Sequence, residues 1–368
     1  MSTYGFICLG LIGGSVARAI REKQPEATII AYNRSAASLD EALSDGVINR
    51  AVYQAEFEND GFSAFSDCDY IFLCAPVQKN EEFLAMLKSV IKDSCIITDV
   101  GSVKTGIHKA VEKLGMEKNF IGGHPMAGSE RVGYLNSKAS ILQNAYYILT
   151  PTASSPAEKV SELRALVESF DSIPLVLTYE QHDYIVAAIS HLPHVIAASL
   201  VNLVKDSDSE EGLMRLVAAG GFKDITRIAS SSADMWEQIC MTNTDNIRKL
   251  LSDYISSLQA IDGSLEKRSG DDIHHLFDTA REYRDSFTVA GSGPIKVNYR
   301  LFVDIADEPG ALATIATLLA TRGISIKNIG IIHNSEYQGG NMRIEFYSEA
   351  DLENAAHVLE DKRYTIHK

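Results

Sequence analysis

The sequence is short of positive charge. Its 34 lysines and arginines face 49 aspartates and glutamates, for a formal net charge of −15. Such a surface lacks the Lys/Arg coverage that phosphate-backbone binding needs, which excludes nucleic acid as a partner. A small anionic substrate stays open, because a few local cations suffice to hold it. Cysteine is scarce too: Cys8, Cys68, Cys74, Cys95 and Cys240 form no CxxC pair and fall at no metal-ligand spacing. They read as small core residues, with no metal site expected. No signal peptide precedes the first apolar run, and no run reads as long enough to cross a bilayer. The expectation is a cytoplasmic protein with no membrane partner. What the chain does have is size: 368 residues, 45% hydrophobic, suit two or three domains better than one core.

Short apolar runs at residues 4–9, 28–32, 69–75 and 95–99 each lead into a helical segment. Strands alternating with helices predict an α/β fold, a Rossmann-like doubly wound parallel sheet. Two more strands are expected at 145–150 and 174–178. From 180 to about 287 the periodicity is almost wholly helical and richer in Ala, Ile and Leu than one layer needs. That surplus predicts burial between subunits, hence a homodimer. After a Gly/Ser/Pro linker at 290–294, the order βαββα with a last strand predicts a small ferredoxin-like module. The domains expected are 1–178 (nucleotide-binding), 179–289 (helical, dimerising) and 297–368 (regulatory).

The first strand runs into Cys8-Leu9-Gly10-Leu11-Ile12-Gly13, a glycine-rich turn that opens a helix. Such turns let backbone amides approach a pyrophosphate, so Gly10, Leu11, Ile12 and Gly13 are candidate cofactor residues. The first glycine of the usual G-x-G-x-x-G is missing. About 20 residues on, where an NAD site places a carboxylate on the ribose, this chain has Asn33-Arg34-Ser35. Those side chains accommodate a 2′-phosphate as readily as a hydroxyl, so the cofactor is NAD or NADP. Further along come Asp99-Val100-Gly101-Ser102-Val103-Lys104 and Gly122-Gly123-His124-Pro125-Met126-Ala127-Gly128-Ser129-Glu130. They pair a hydroxyl with a histidine, the side chain whose pKa suits a general base near neutrality.

With Ile189-Ser190-His191-Leu192-Pro193-His194 and Gly220-Gly221-Phe222-Lys223-Asp224-Ile225-Thr226-Arg227, these motifs resemble the prephenate dehydrogenases of tyrosine biosynthesis over nearly all of the chain to about residue 290. The resemblance implies oxidative decarboxylation of prephenate to 4-hydroxyphenylpyruvate. His124 matches the family's catalytic histidine and Ser102 the hydroxyl that orients the substrate's carbinol. Arg227 matches the clamp on the ring carboxylate, with Asp224 one helical turn earlier as its orienter. Glu130 is read as a gate or steering group that pairs with a basic residue, or as a plain loop carboxylate; the resemblance places His194 near the substrate side chain. His191 is read as structural, and His182-Asp183 as a helix cap or a contact with the sheet domain. At the C-terminus, Asp307-Glu308-Pro309-Gly310-Ala311-Leu312 and the stretch through Asn328 look like an ACT domain. L-tyrosine is its expected ligand, with Asp307, Gly310, Ala311 and Asn328 as candidate regulatory residues. Two other readings stay open: arogenate dehydrogenase, and a non-catalytic amino-acid sensor on the same scaffold.

Overall fold

The computed structural model describes residues 2–128, 132–290, 299–305, 308, 310–332 and 340–367. They form two compact units, Met1–Gly263 and Ser264–Lys368.

In the first unit, β1 (Thr3–Ile7), β2 (Thr28–Tyr32), β3 (Arg50–Val52), β4 (Tyr70–Leu73) and β5 (Ile96–Asp99) make a parallel sheet of order β3-β2-β1-β4-β5. Helices cover both faces, which is why these strands are continuous apolar runs rather than alternating ones. Phe6 and Phe72 pair across β1 and β4 and stack at 4.9 Å in the core. The chain leaves β1 for β2 on one side and returns to β4 on the other. The switch point beside β1 is therefore where ligands of such sheets bind.

Beyond β5 lie β6 (Ile121–Pro125), β7 (Tyr146–Pro151) and β8 (Ile173–Val176), with β6–β7 antiparallel and β7–β8 parallel. A parallel bridge between Ile97 and Phe120, with the Ile97 amide donating to Asn119 at 2.7 Å, joins this sheet to the first. β6 lay outside the strands expected from the sequence, and it carries His124.

A long helix follows: Tyr179–Val186, a π-helical turn at Ala187–His191, then Leu192–Ser207. Pro193 explains the π turn, because it cannot donate to the carbonyl four residues back and its ring crowds that carbonyl. The expectation that no apolar run could span a bilayer is corrected here. Tyr179–Ser207 is 29 residues with a mean hydropathy of 1.7 in its most apolar window, long and apolar enough by length and composition. Its first half instead carries buried His182 and Asp183, bonded to the sheet region. Further along, Leu203, Leu216, Val217 and Met241 are all more than 60% exposed, an apolar surface of the kind that seeks a partner.

In the second unit, helix Gly270–Ala290 precedes β9 (Tyr299–Ile305), β10 (Ile326–Ile332), β11 (Gly340–Phe346) and β12 (Ile366–His367). The strand order is β10-β11-β9-β12, all antiparallel. Helices Ala311–Ala320 and Glu349–Asp361 pack Ile315, Leu319, Ala355 and Leu359 onto Leu301, Val303, Met342 and Ile344. This is the ferredoxin-like βαββαβ module expected. Gly310 caps the helix Ala311–Ala320 in the left-handed region at φ +94°, and Asn328 is exposed beside a bulge in β10. Asp307 lies outside the described residues.

Candidate active site

The glycine-rich turn sits at the switch point. Cys8 takes the place of the missing first glycine yet adopts φ +72°, so the left-handed turn survives the substitution. Burial pushes its thiol to about 11, which keeps it protonated and unreactive. Gly13 is required by packing: a Cβ there would lie 2.9 Å from Cys74 Sγ and from the Cys8 carbonyl. Around Gly10 the space within 4 Å of a would-be Cβ is empty, at the N-terminus of the 13-residue helix Leu11–Lys23. Open space before unpaired helix amides fits a pyrophosphate. Asn33 is half-exposed and Arg34 and Ser35 are exposed just after β2; Ser35 precedes helix Ala36–Ser44 without a side-chain capping bond. That leaves its hydroxyl, the helix amides and Arg34 to meet a ribose substituent.

Asp99 ends β5 and organises what lies next to this turn. Its carboxylate accepts from the Gly101 amide at 2.9 Å and the Gly123 amide at 3.1 Å, and it pairs with the ammonium of fully buried Lys104. The loop carrying Ser102 is thereby tied to the strand carrying His124. Burial pulls the Lys104 ammonium below its usual range, with Asp99 opposing. β6 runs close against its neighbours: a Cβ on Gly123 would lie 2.6 Å from the Asp99 carbonyl and 2.8 Å from Thr98 Oγ1. Ser102 is half-buried, and no described residue hydrogen-bonds to its hydroxyl.

His124 is half-buried, and its Nδ1 lies 2.8 Å from His182 Nε2. His182 is fully buried, with Nδ1 2.7 Å from Asp183 Oδ1. Asp183 accepts from the Lys104 amide at 2.8 Å, the Thr105 amide at 2.8 Å and the Thr105 hydroxyl at 2.5 Å. Burial, then the like charges of His182, Lys104 and His191, holds His124 well below the usual histidine range. His182 is also lowered, chiefly by burial, with Asp183 opposing. The helix cap is not His182 but Thr178: its Oγ1 accepts from the Gln181 amide at 3.2 Å while Gln181 Oε1 accepts from the Thr178 amide at 3.0 Å. This capping box sets the phase that turns His182 and Asp183 inward.

Across the π turn, His191 is buried, with Nδ1 3.1 Å from Asn243 Nδ2, which also donates to the Asp183 carbonyl at 2.8 Å. His194 Nδ1 donates to the Ser190 carbonyl at 2.8 Å, and its ring stacks on Trp236 at 3.8 Å. The buried Trp236 indole N–H has no partner among the described residues. Arg227 is exposed, and its charge bears on His194. The α-helix Gly220–Thr226 ends just before it, so Arg227 opens a 3-10 turn, and Asp224 is exposed on the helix before the break. Glu130 lies outside the described residues. Asn243, Trp236, Asp99 and the partnership of His182 with His124 went unread in the sequence. The one available signal was an adjacent His-Asp pair entering a helix.

A dinucleotide turn at a sheet's switch point, beside a carboxylate-braced loop and a half-buried imidazole held below its usual range, defines a nicotinamide-dependent dehydrogenase. Residues 16–173 match the family described as "Prephenate dehydrogenase, nucleotide-binding domain", and 178–279 match "Prephenate dehydrogenase, dimerization domain". The prephenate dehydrogenase of Bacillus subtilis (strain 168) is 37% identical over 358 residues, covering 96% of this chain and 94% of that protein. That of Lactococcus lactis subsp. cremoris is 32% identical over 96% of both. The crystal structure of Aquifex aeolicus prephenate dehydrogenase, solved with hydroxyphenyl propionate and NAD+, superposes with a TM-score of 0.72 at 27% identity, covering 78% of this chain and 98% of that one. The chain belongs to the prephenate dehydrogenase family.

Proposed function

We propose that this protein oxidatively decarboxylates prephenate to 4-hydroxyphenylpyruvate with NAD or NADP, working as a cytoplasmic homodimer. The observation that carries the chemistry is the placement of the His124 imidazole, braced from behind by His182 and tied through Asp99 to the loop of Ser102. Gly10, Leu11, Ile12 and Gly13 would hold the cofactor's pyrophosphate on backbone amides. Once bound, the nicotinamide supplies the hydride acceptor. Ser102 hydrogen-bonds the carbinol oxygen and orients it, and His124 takes its proton as the carbonyl forms. Loss of the ring carboxylate as CO2 follows, because it makes the ring aromatic. Arg227 holds that carboxylate until then, as a planar fork does better than a point charge. His194, stacked on Trp236, lies at the side-chain end. Arg34 with Asn33 and Ser35 would accommodate a 2′-phosphate, which keeps NADP beside NAD as the cofactor.

At the C-terminal module, left-handed Gly310 precedes helix Ala311–Ala320, whose N-terminal amides after Ala311 would suit a ligand carboxylate, and this supports feedback control by tyrosine. The test is formation of reduced nicotinamide by the purified full chain. Prephenate and arogenate are each run with NAD and with NADP, with and without tyrosine. Preferential turnover of prephenate bears the reading out; turnover of arogenate alone, or none, overturns it.

A further inference from the structure

We propose that His182 and Asp183 are positioning residues of this reaction, forming with His124 a relay that fixes the tautomer of the base and shares its charge. The inference rests on the dehydrogenase reading above. Its starting point is Asp183, whose two oxygens receive four donors: Oδ1 takes the Lys104 amide and His182 Nδ1, Oδ2 takes the Thr105 amide and hydroxyl. A carboxylate so supplied stays ionised and can only accept; accordingly it lies below the usual carboxylate range, its hydrogen bonds outweighing burial.

The rest follows by elimination along the chain of bonds. Because Asp183 accepts, His182 donates from Nδ1, and a neutral His182 then keeps a bare Nε2. That atom lies 2.8 Å from His124 Nδ1, so His124 donates from Nδ1 and its own Nε2 is left bare. A bare Nε2 is the form a general base needs. When it takes the carbinol proton, His124 becomes an imidazolium whose Nδ1–H already points at the lone pair of His182. The proton can pass along that bond, leaving His124 neutral and placing the positive charge on His182, against Asp183. Each transfer breaks one N–H or O–H bond and forms one N–H bond, with no other reactant required.

The charged and titratable groups facing the pair are Asp183, Asp99, Lys104 and His191. Lys104 and His191 oppose a charge on His124, and Asp183 is the carboxylate bonded directly to the relay. Asn243 holds the far side, donating to the Asp183 carbonyl and bordering His191. A cap or a packing contact requires none of this directionality. A capping histidine would bond a helix amide, and the cap of this helix is Thr178, which takes the Gln181 amide.

The test uses the full chain with His182→Gln, His182→Leu and His124→Asn. Folding is checked by thermal melting and by cofactor binding. In His182→Gln the amide oxygen can still accept from His124 Nδ1–H but cannot take up a proton; His182→Leu offers neither. The relay predicts that kcat falls about 10-fold in His182→Gln and on the order of 100-fold in His182→Leu, with KM for prephenate within 3-fold. It also predicts that the acid limb of the kcat/KM profile shifts in both, because the group that bonds His124 Nδ1 and whose charge bears on it has been replaced. A His182→Leu enzyme that binds cofactor and keeps kcat within 3-fold with an unmoved acid limb would overturn the relay. So would a loss confined to KM. If His182→Leu does not fold, His182→Gln decides on the same two readouts. Retained turnover in His124→Asn would overturn the base assignment instead, so the two failures are distinguishable.

Discussion

Acidification should destabilise this enzyme before its carboxylates titrate, because it buries histidines held below their usual range. His108 is 5% exposed, hydrogen-bonded to Thr150 at 2.9 Å and stacked on Tyr179; His191 is 1% exposed against Asn243 and Trp236. Burial lowers each to about 4. In the unfolded chain both titrate near 6.5. The unfolded state therefore binds more protons between pH 6.5 and 4, and stability in that window falls as pH falls. Their contribution is full above about pH 6.5 and lost as pH drops through that window toward the folded value. From pH 7 to pH 5 the linkage relation gives a loss of about 2 kcal/mol per histidine, about 4 kcal/mol for the two. His124 and His182 are lowered as well and add in the same direction. Urea unfolding of the full chain at pH 7, 6 and 5 measures this. His108→Gln, which keeps a polar group facing Thr150, should remove about 2 kcal/mol of the pH dependence. Stability that stays flat from pH 7 to 5 would refute the claim that these imidazoles are buried neutral.

Three further outcomes are expected. Lys104→Met leaves Asp99 buried with only backbone amides for company, so it should cost about 3 kcal/mol in denaturant unfolding and lower kcat by loosening the Ser102 loop; unchanged unfolding would count against the brace. Gly123→Ala puts a Cβ against the Asp99 carbonyl and Thr98, which should cost about 1–3 kcal/mol and reduce kcat more than about 10-fold, because His124 is the next residue along the displaced strand. Arg227→Ala should raise KM for prephenate about 30-fold, the equivalent of about 2 kcal/mol for a charge-assisted pair, with a smaller change in kcat; an unmoved KM would remove the clamp role.

Much of this protein is legible in its sequence, for physical reasons that differ by region. The strands β1, β2, β4 and β5 are buried on both faces, so each announces itself as an unbroken apolar run. The alternation of helices and strands in the C-terminal module did the same for its topology. β6 gave no such signal. Its Ile-Gly-Gly-His-Pro sequence contains the two residue types that mark chain breaks, yet the packing against Thr150 and the Asp99 carbonyl demands glycine. The helix Tyr179–Ser207 carries Pro193 in its middle, and the chain absorbs it in a π turn and continues. His124 and Ser102 were identifiable as chemistry, but what joins them was not. Asp99 acts across 24 residues to Gly123, and His182 reaches His124 across 58. Contacts of that separation have no signature in spacing; of the two readings of His182-Asp183, a cap or a contact with the sheet domain, the structure shows the contact, with His124, Lys104 and Thr105. Trp236 belongs to no motif, and only the fold shows its ring under His194.

Turnover of prephenate by the wild-type chain and by His124→Asn, followed side by side as nicotinamide reduction, is the decisive comparison. Wild-type turnover with a loss of at least about 100-fold in kcat for a variant that still binds cofactor is the predicted result. Prephenate oxidation that continues undiminished in His124→Asn, or a wild-type protein that reduces no cofactor with prephenate, would contradict the assignment of His124 as the base of a prephenate dehydrogenase.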